Sequence, residues 1–215
     1  MELLAHRGAW SAREERNTPG AIAGAFANGW GVETDLRDLA GRVSISHDCP
    51  AADHRLFLDG TGGLLDMWRA AGAPGRLALN IKADGLQALV AASLAPSEAV
   101  RCFVFDASVP DAHVWLRDAI VPVFVRHSDL EPDPHLSQHY ARAAGVWLDA
   151  FDSDWWDGDV VRAHLDAGLE VAIVSPELHG RPHLACWRTL VDAGVWDASG
   201  VLLCTDIPAE AAQFG

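Results

Sequence analysis

Eight times along this chain a short run of Val, Ile, Leu or Phe gives way to a polar junction and then to an Ala- and Leu-rich stretch with helical spacing. Near-continuous apolar runs mark strands buried on both faces, and strands that alternate with helices pair in parallel because each helix returns the chain across the sheet. The pattern predicts strands at 2–5, 31–36, 76–82, 101–105, 121–126, 145–149, 170–175 and 200–205. Helices are expected near 18–29, 62–72, 84–95, 108–118, 134–144, 157–168 and 183–194, with a short last one near 208–213. Eight such units indicate an α/β chain closed into a (β/α)8 TIM barrel, one domain over residues 1–215. That length lies near the lower end of the fold's range of about 200 to over 400 residues, so the loops must be short. An open doubly wound sheet is the main rival, but it needs a glycine fingerprint after the first strand, and His6-Arg7-Gly8-Ala9-Trp10 is not one. Residues 42–47 fall outside the rhythm and read as an extension of the second strand after a turn at Ala40-Gly41.

In such a barrel, functional side chains gather where strands end and enter the loops that follow. His6 and Arg7 end the first strand, Glu33 and Asp35 lie late in the second, and His47-Asp48 follows its extension. On the third, Ala78, Asn80 and Lys82 share the face expected to point inward, and Leu77, Leu79 and Ile81 share the other. Glu33 and Asp35 point the same way, about 6 to 7 Å apart along the strand, and repel unless a cation sits between them. Histidines trade protons near neutral pH. Singly, each residue has an ordinary explanation: a hydrogen-bonded strand-end histidine, a solvated edge, a lysine capping a strand. Their convergence on one end of one barrel outlines a metal-assisted acid/base site.

Charge narrows the partners. Sixteen basic against thirty acidic residues give a formal net charge of -14, which disfavours nucleic acid and stable association with anionic membranes. A small anionic molecule is not excluded, because a metal, or Arg7 and Lys82, can reverse the field inside one pocket. The four cysteines, Cys49, Cys102, Cys186 and Cys204, form no Cys-x-x-Cys pair and read as reduced and mostly buried. With no secretory pattern at the start and no apolar run approaching 18 residues, a cytoplasmic protein is expected.

The run Ala5-His6-Arg7-Gly8, followed by Asn17-Thr18, Val32-Glu33-Thr34-Asp35-Leu36 and His47-Asp48, resembles the glycerophosphodiester phosphodiesterase family in order and spacing. Thr205-Asp206-Ile207-Pro208 is similar to that family's ending. The resemblance is dense over the first quarter of the chain and otherwise rests on the barrel rhythm. It implies a phosphoric diester hydrolase acting on a small phosphodiester such as a glycerophosphodiester. His6 and His47 would be the acid/base pair, Glu33 and Asp35 ligands of a divalent cation, Mg2+ or Ca2+, and Arg7 and Lys82 the holders of the phosphate oxygens. Three departures stand out. Asn80 occupies the position of a further metal-binding glutamate and brings an amide oxygen without its charge. Arg16-Asn17-Thr18 replaces Glu-Asn-Thr, with Glu15 displaced by one. The longer insertion many members carry after His47 is missing. The same residues also suit a lyase that forms a cyclic phosphate, or a barrel that only binds a phosphorylated ligand or a metal.

Other polar features read more simply. Trp10, Trp155 and Trp156 are expected in core or rim positions, and Trp147 on strand six is a candidate apolar wall of the pocket. His127 and Glu177-Leu178-His179-Gly180-Arg181 follow strands at the catalytic end and are candidates for substrate selection, an ordinary loop being the simpler explanation. The i, i+4 pairs His135/His139 and His179/His183 lack the glutamate of His-Glu-x-x-His and are expected on exposed helix faces. Ser128 to Pro134 reads as a solvated connection, and Gly60-Thr61-Gly62-Gly63 as a turn that starts the second helix. No Gly-x-Ser-x-Gly elbow supports a serine hydrolase.

Overall fold

A computed structural model of the chain describes residues 1–214, the side chain of Leu136 excepted. Its strands are β1 (Glu2–His6), β2 (Gly31–Leu39), β3 (Arg42–Ile45), β4 (Leu77–Ile81), β5 (Cys102–Phe105), β6 (Phe124–His127), β7 (Gly145–Leu148), β8 (Glu170–Val174) and β9 (Val201–Thr205). Its α-helices are α1 (Pro19–Ala27), α2 (Leu64–Ala70), α3 (Gln87–Ser93), α4 (Pro96–Ala99), α5 (Val109–Asp118), α6 (Gly158–Asp166), α7 (Leu184–Asp192) and α8 (Pro208–Ala211). Eight strands run in the order β5-β4-β2-β1-β9-β8-β7-β6, each paired in parallel with its neighbours. The ring meets itself between β5 and β6 through one parallel bridge, Val104 to Val123, with the Val104 N–H donating to the Pro122 carbonyl at 2.9 Å. The result is a nearly closed (β/α)8 barrel.

Strand periodicity sorts the core into layers. Leu4, Ala78, Phe103, Phe105, Phe124, Trp147, Leu202 and Cys204 fill the barrel interior, with Phe103 stacked on Phe124 at 3.9 Å and Phe105 on Trp147 at 3.8 Å between ring centroids. Leu77, Leu79 and Ile81 point outward into the layer beneath the helices, where Trp68, Trp115 and Trp187 are fully buried. The aromatic plug closes the barrel below its mouth, so the polar residues one step further along each strand stand on an apolar floor. Helix starts follow capping chemistry. Thr18 accepts from the Ala21 N–H before Pro19, Ser108 from Asp111, and Asp157 from Asp159 and Val160.

All eight predicted strands are present, and three local expectations need correction. Residues 42–47 do not continue β2 in line: β3 returns antiparallel against it, from a turn in which Ala40 and Gly41 both have left-handed backbones, φ 49° and 79°. The helix expected over 134–144 is replaced by two 3-10 turns, Pro134–Leu136 and Tyr140–Arg142. Between them the Ser137 hydroxyl accepts the His139 N–H at 3.1 Å and diverts it from a helical ladder. The 128–134 connection is not simply solvated either, since Ser128 and Pro134 are buried. The short α4 was not anticipated. It begins at Pro96, whose fixed φ suits a first helical position. Cys102 and Cys204 are buried, Cys186 is half-buried and Cys49 is exposed, all as free thiols. No helix among the described residues is long and apolar enough to cross a membrane.

Candidate active site

The mouth of the barrel is built from strand ends. β1 closes on His6, after which Arg7 (φ 58°) and Gly8 (φ 94°) turn the chain sharply onto α1. Only glycine fits there, because a Cβ on Gly8 would lie 2.6 Å from the Ala21 carbonyl carbon. The turn is fixed by the Arg7 N–H donating to the Glu33 carbonyl and the Asn17 N–H to the Arg7 carbonyl, at 2.8 and 2.9 Å. The same turn carries the Arg7 side chain back over β2.

His6 faces inward between two carboxylates. Its Nδ1 lies 2.6 Å from Asp206 Oδ1 and its Nε2 3.7 Å from Glu33 Oε2. Asp206 can only accept when ionised, so the proton sits on Nδ1 and Nε2 is left with its lone pair. Burial pushes the imidazole pKa below its ordinary value, partly offset by Asp206. Asp206 is itself held: Arg16 NH2 donates to its Oδ2 at 2.8 Å, and its backbone N–H donates to Glu177 Oε1 at 3.1 Å. Glu177 also accepts from Thr205 Oγ1, at 2.5 Å, and from Ser175 Oγ. Asp206 was assigned no role from sequence, although the Thr-Asp-Ile-Pro run closing the last strand was a signal; Glu177 was a candidate for substrate selection and instead holds the Asp206 backbone.

Glu33, Asp35 and Asn80 meet through strand register, since Asp35 is the cross-strand partner of Asn80 and Glu33 that of Ala78. Glu33 and Asp35 are almost fully buried. Arg7 Nε pairs with Asp35 Oδ2 at 2.9 Å, that oxygen accepts a hydrogen bond from Asn17 Nδ2 at 2.9 Å, and Lys82 Nζ is 3.8 Å from Asp35 Oδ1. Asn17 in turn accepts from Thr34 at 2.7 Å. Asn80 Nδ2 donates weakly to Glu33 Oε1 at 3.4 Å. Burial, with the neighbouring Asp35 charge, lifts the Glu33 pKa to about 8.

One oxygen on each of these three side chains is buried with no hydrogen-bond partner among the described residues: Glu33 Oε2, Asp35 Oδ1 and Asn80 Oδ1. Orphaned hard oxygens beside a carboxylate too buried to ionise easily are what a divalent cation relieves, and this donor set fits Mg2+ or Ca2+. No group of three His, Cys, Asp or Glu side chains placed to hold a metal occurs among the described residues, because the third corner is an amide.

His47 approaches from the rim. It lines an open cavity of about 340 Å3 with Arg7, Arg16 and Asn17. Its Nδ1 lies 2.9 Å from Asp48 Oδ1, and no hydrogen bond joins it to His6, Glu33 or Asp35. Sequence reasoning thus identified six residues that meet at the mouth, His6, Arg7, Glu33, Asp35, Asn80 and Lys82, and a seventh, His47, that shares an open cavity with Arg7 alone among them. Trp147 belongs to the floor. His139 is buried on no helix, and His179 sits partly buried at the mouth, so neither occupies the exposed helix face expected for it.

No family model and no curated protein sequence matches the chain. Solved structures match it in fold. A glycerophosphodiester phosphodiesterase from Agrobacterium tumefaciens is 19% identical, with 100% of this chain and 98% of that one covered at a TM-score of 0.70. An Oleispira antarctica phosphodiesterase, solved with the product sn-glycerol-3-phosphate, is 16% identical over 100% and 96% of the two chains, with a TM-score of 0.66. A Ca2+-dependent phosphatidylinositol-specific phospholipase C from Streptomyces antibioticus is 13% identical over 97% and 95%, with a TM-score of 0.54. The chain has the (β/α)8 fold of these proteins.

Proposed function

We propose that this barrel hydrolyses a small phosphodiester, such as a glycerophosphodiester, with a divalent cation held by Glu33, Asp35 and Asn80. The observation that carries the reading is the set of three orphaned oxygens beside Arg7, Lys82 and the His6–Asp206 pair. The fold shared with enzymes of this class supports it. The cation, when bound, neutralises charge on the phosphoryl oxygens and makes phosphorus more electrophilic. Arg7 and Lys82, which lie 2.9 and 3.8 Å from Asp35, would hold those oxygens as well. His6, kept neutral by burial and oriented by Asp206, takes a proton at Nε2 from the attacking water. His47, on the solvent side of Arg7, delivers a proton to the departing alcohol. The apolar plug beneath excludes bulk water from the far side of the reacting group.

The test is turnover of a phosphodiester panel with Mg2+, Ca2+ and Mn2+, in wild type and in His6→Ala and His47→Ala. Both variants are expected to retain the fold by circular dichroism and to lose turnover by about 100-fold or more. Wild-type rates in both sink the assignment. Phosphorus NMR of the product in 18O-water identifies the attacking oxygen: label in the phosphomonoester means hydrolysis, whereas an unlabelled cyclic phosphate means that a substrate hydroxyl is the nucleophile.

A further inference from the structure

Through Arg7 the proposed phosphate site adjoins the open cavity of about 340 Å3 at the rim. One wall is the loop after β1, with Arg13 and Arg16, and the other is the loop after β3, with His47 and His54. Three arginines meet there in a chain whose formal net charge is -14. Asp48 is the one acidic residue of the lining, and its Oδ1 lies 2.9 Å from His47 Nδ1. The arginines differ in what they already hold. Arg7 Nε pairs with Asp35 at 2.9 Å and Arg16 NH2 with Asp206 at 2.8 Å, and the Arg16 guanidinium is fixed further by stacking 4.2 Å from the Trp10 ring centre. Arg13 is exposed, and among the described residues no carboxylate pairs with it. Its neighbour Glu15 is turned instead to the Ser11 and Ala12 N–H groups, at 2.8 and 3.1 Å.

We propose that this cavity takes a carboxylate carried by the departing alcohol, so that the substrate is a phosphodiester whose leaving group is a hydroxy acid. The assignment rests on the phosphodiesterase reading, in which His47 protonates the departing alcohol, and adds to it a charge that the reading does not contain. An alcohol set against His47 extends between the two walls. Charge selects a monoanion. Asp35 is matched by Arg7, Asp206 by Arg16 and Asp48 by His47 in its acid form, so Arg13 brings one uncompensated positive charge. A carboxylate neutralises that charge, and the planar guanidinium fork meets it at two points. Elsewhere the acidic surface repels such a group, and local cations decide where it can settle. In the step, water gives a proton to His6 as its oxygen bonds to phosphorus, the P–O bond to the hydroxy acid breaks, and His47 gives its proton to the alkoxide oxygen. A phosphomonoester and the free hydroxy acid leave.

The experiment compares two diesters of sn-glycerol 3-phosphate, one with glycerol and one with the primary hydroxyl of glycerate, which differ only in a CH2OH or a carboxylate on the second arm. Wild type is expected to favour the glycerate ester about tenfold in kcat/KM and to release glycerate from it, not glycerol. Arg13→Gln should abolish the preference, chiefly by raising KM for the glycerate ester, and Arg13→Lys should keep part of it. Arg117→Gln, which removes a charge from an exposed site on α5 across the barrel from β1, should leave it in place. Equal rates or a preference for the glycerol ester, release of glycerol from the mixed diester, or a preference that Arg13→Gln and Arg117→Gln change alike overturns the proposal. Turnover of neither diester by wild type counts instead against the phosphodiesterase reading, and calorimetry with the same two compounds then decides the present question. Binding of the glycerate ester about tenfold tighter than the glycerol ester in wild type, but not in Arg13→Gln, supports it; equal affinities, or binding of neither, refute it.

Discussion

At the residue scale, the unusual feature is an amide where three oxygens converge. Asn80 completes the set with Glu33 and Asp35 but leaves the corner one negative charge short, and affinity for hard cations depends on ligand charge count. Asn80→Glu is therefore expected to tighten Mn2+ binding by about tenfold or more, read by electron paramagnetic resonance of the free ion, and Asn80→Leu to weaken it. The gain should be greater at pH 9 than at pH 6.5. Glu33 already takes up a proton below about 8, and a further carboxylate beside it holds that proton more tightly until a cation displaces it. His6, Glu33, Asp35 and Lys82 were legible in the sequence because strand periodicity alone assigns them a face and an end. What Glu177 does was not. Its role arises where the loop after β8 meets the end of β9, 29 residues away in the chain, through a bond to the Asp206 backbone that no local pattern encodes.

At the element scale, the strands were easier to read than the links between them. A parallel strand buried on both faces announces itself by composition, so all eight were found to within about three residues. The β2–β3 hairpin was half visible. Gly41 suggested the turn, but the chain reversal depends on Ala40 also adopting a left-handed backbone, and nothing about alanine signals that. A tight two-residue hairpin favours Asn-Gly at these positions. Ala40→Asn or Ala40→Gly should therefore raise stability by about 0.5–1 kcal/mol, seen as a higher urea midpoint with an unchanged slope. A lower midpoint would mean that the alanine methyl packs better than its exposed position implies. The missing helix before β7 was illegible for a related reason, because Ser137 captures a backbone N–H through its side chain.

At the scale of the whole molecule, a buried relay ties the segment before β7 to the helix layer. The Pro132 carbonyl can only accept, so His127 donates from Nε2 at 3.0 Å and accepts at Nδ1 from His164 Nε2 at 2.9 Å. His164 Nδ1 then accepts from the Tyr140 hydroxyl at 2.7 Å. Every donor has an acceptor only while both histidines are neutral. Burial, reinforced by His127 and His135 nearby, lowers the His164 pKa to about 4. The unfolded chain takes up that proton below about 6.5, so the stabilisation is complete above 6.5 and is lost as pH falls towards 4. Urea denaturation should show on the order of 2 kcal/mol less stability at pH 4 than at pH 7 from this group, and His164→Asn should flatten that part of the profile. An equally steep profile in the variant would place the acid sensitivity elsewhere.

The gap between β5 and β6 bears on more than topology. Two parallel strands that share one bridge behave as the cut in a split ring, and the Asp106–Arg126 ion pair spans that cut like a clasp. Lys82 Nζ lies 3.9 Å from Asp106 Oδ2, so the seam of the hoop and the cation proposed to hold the phosphate lean on one carboxylate.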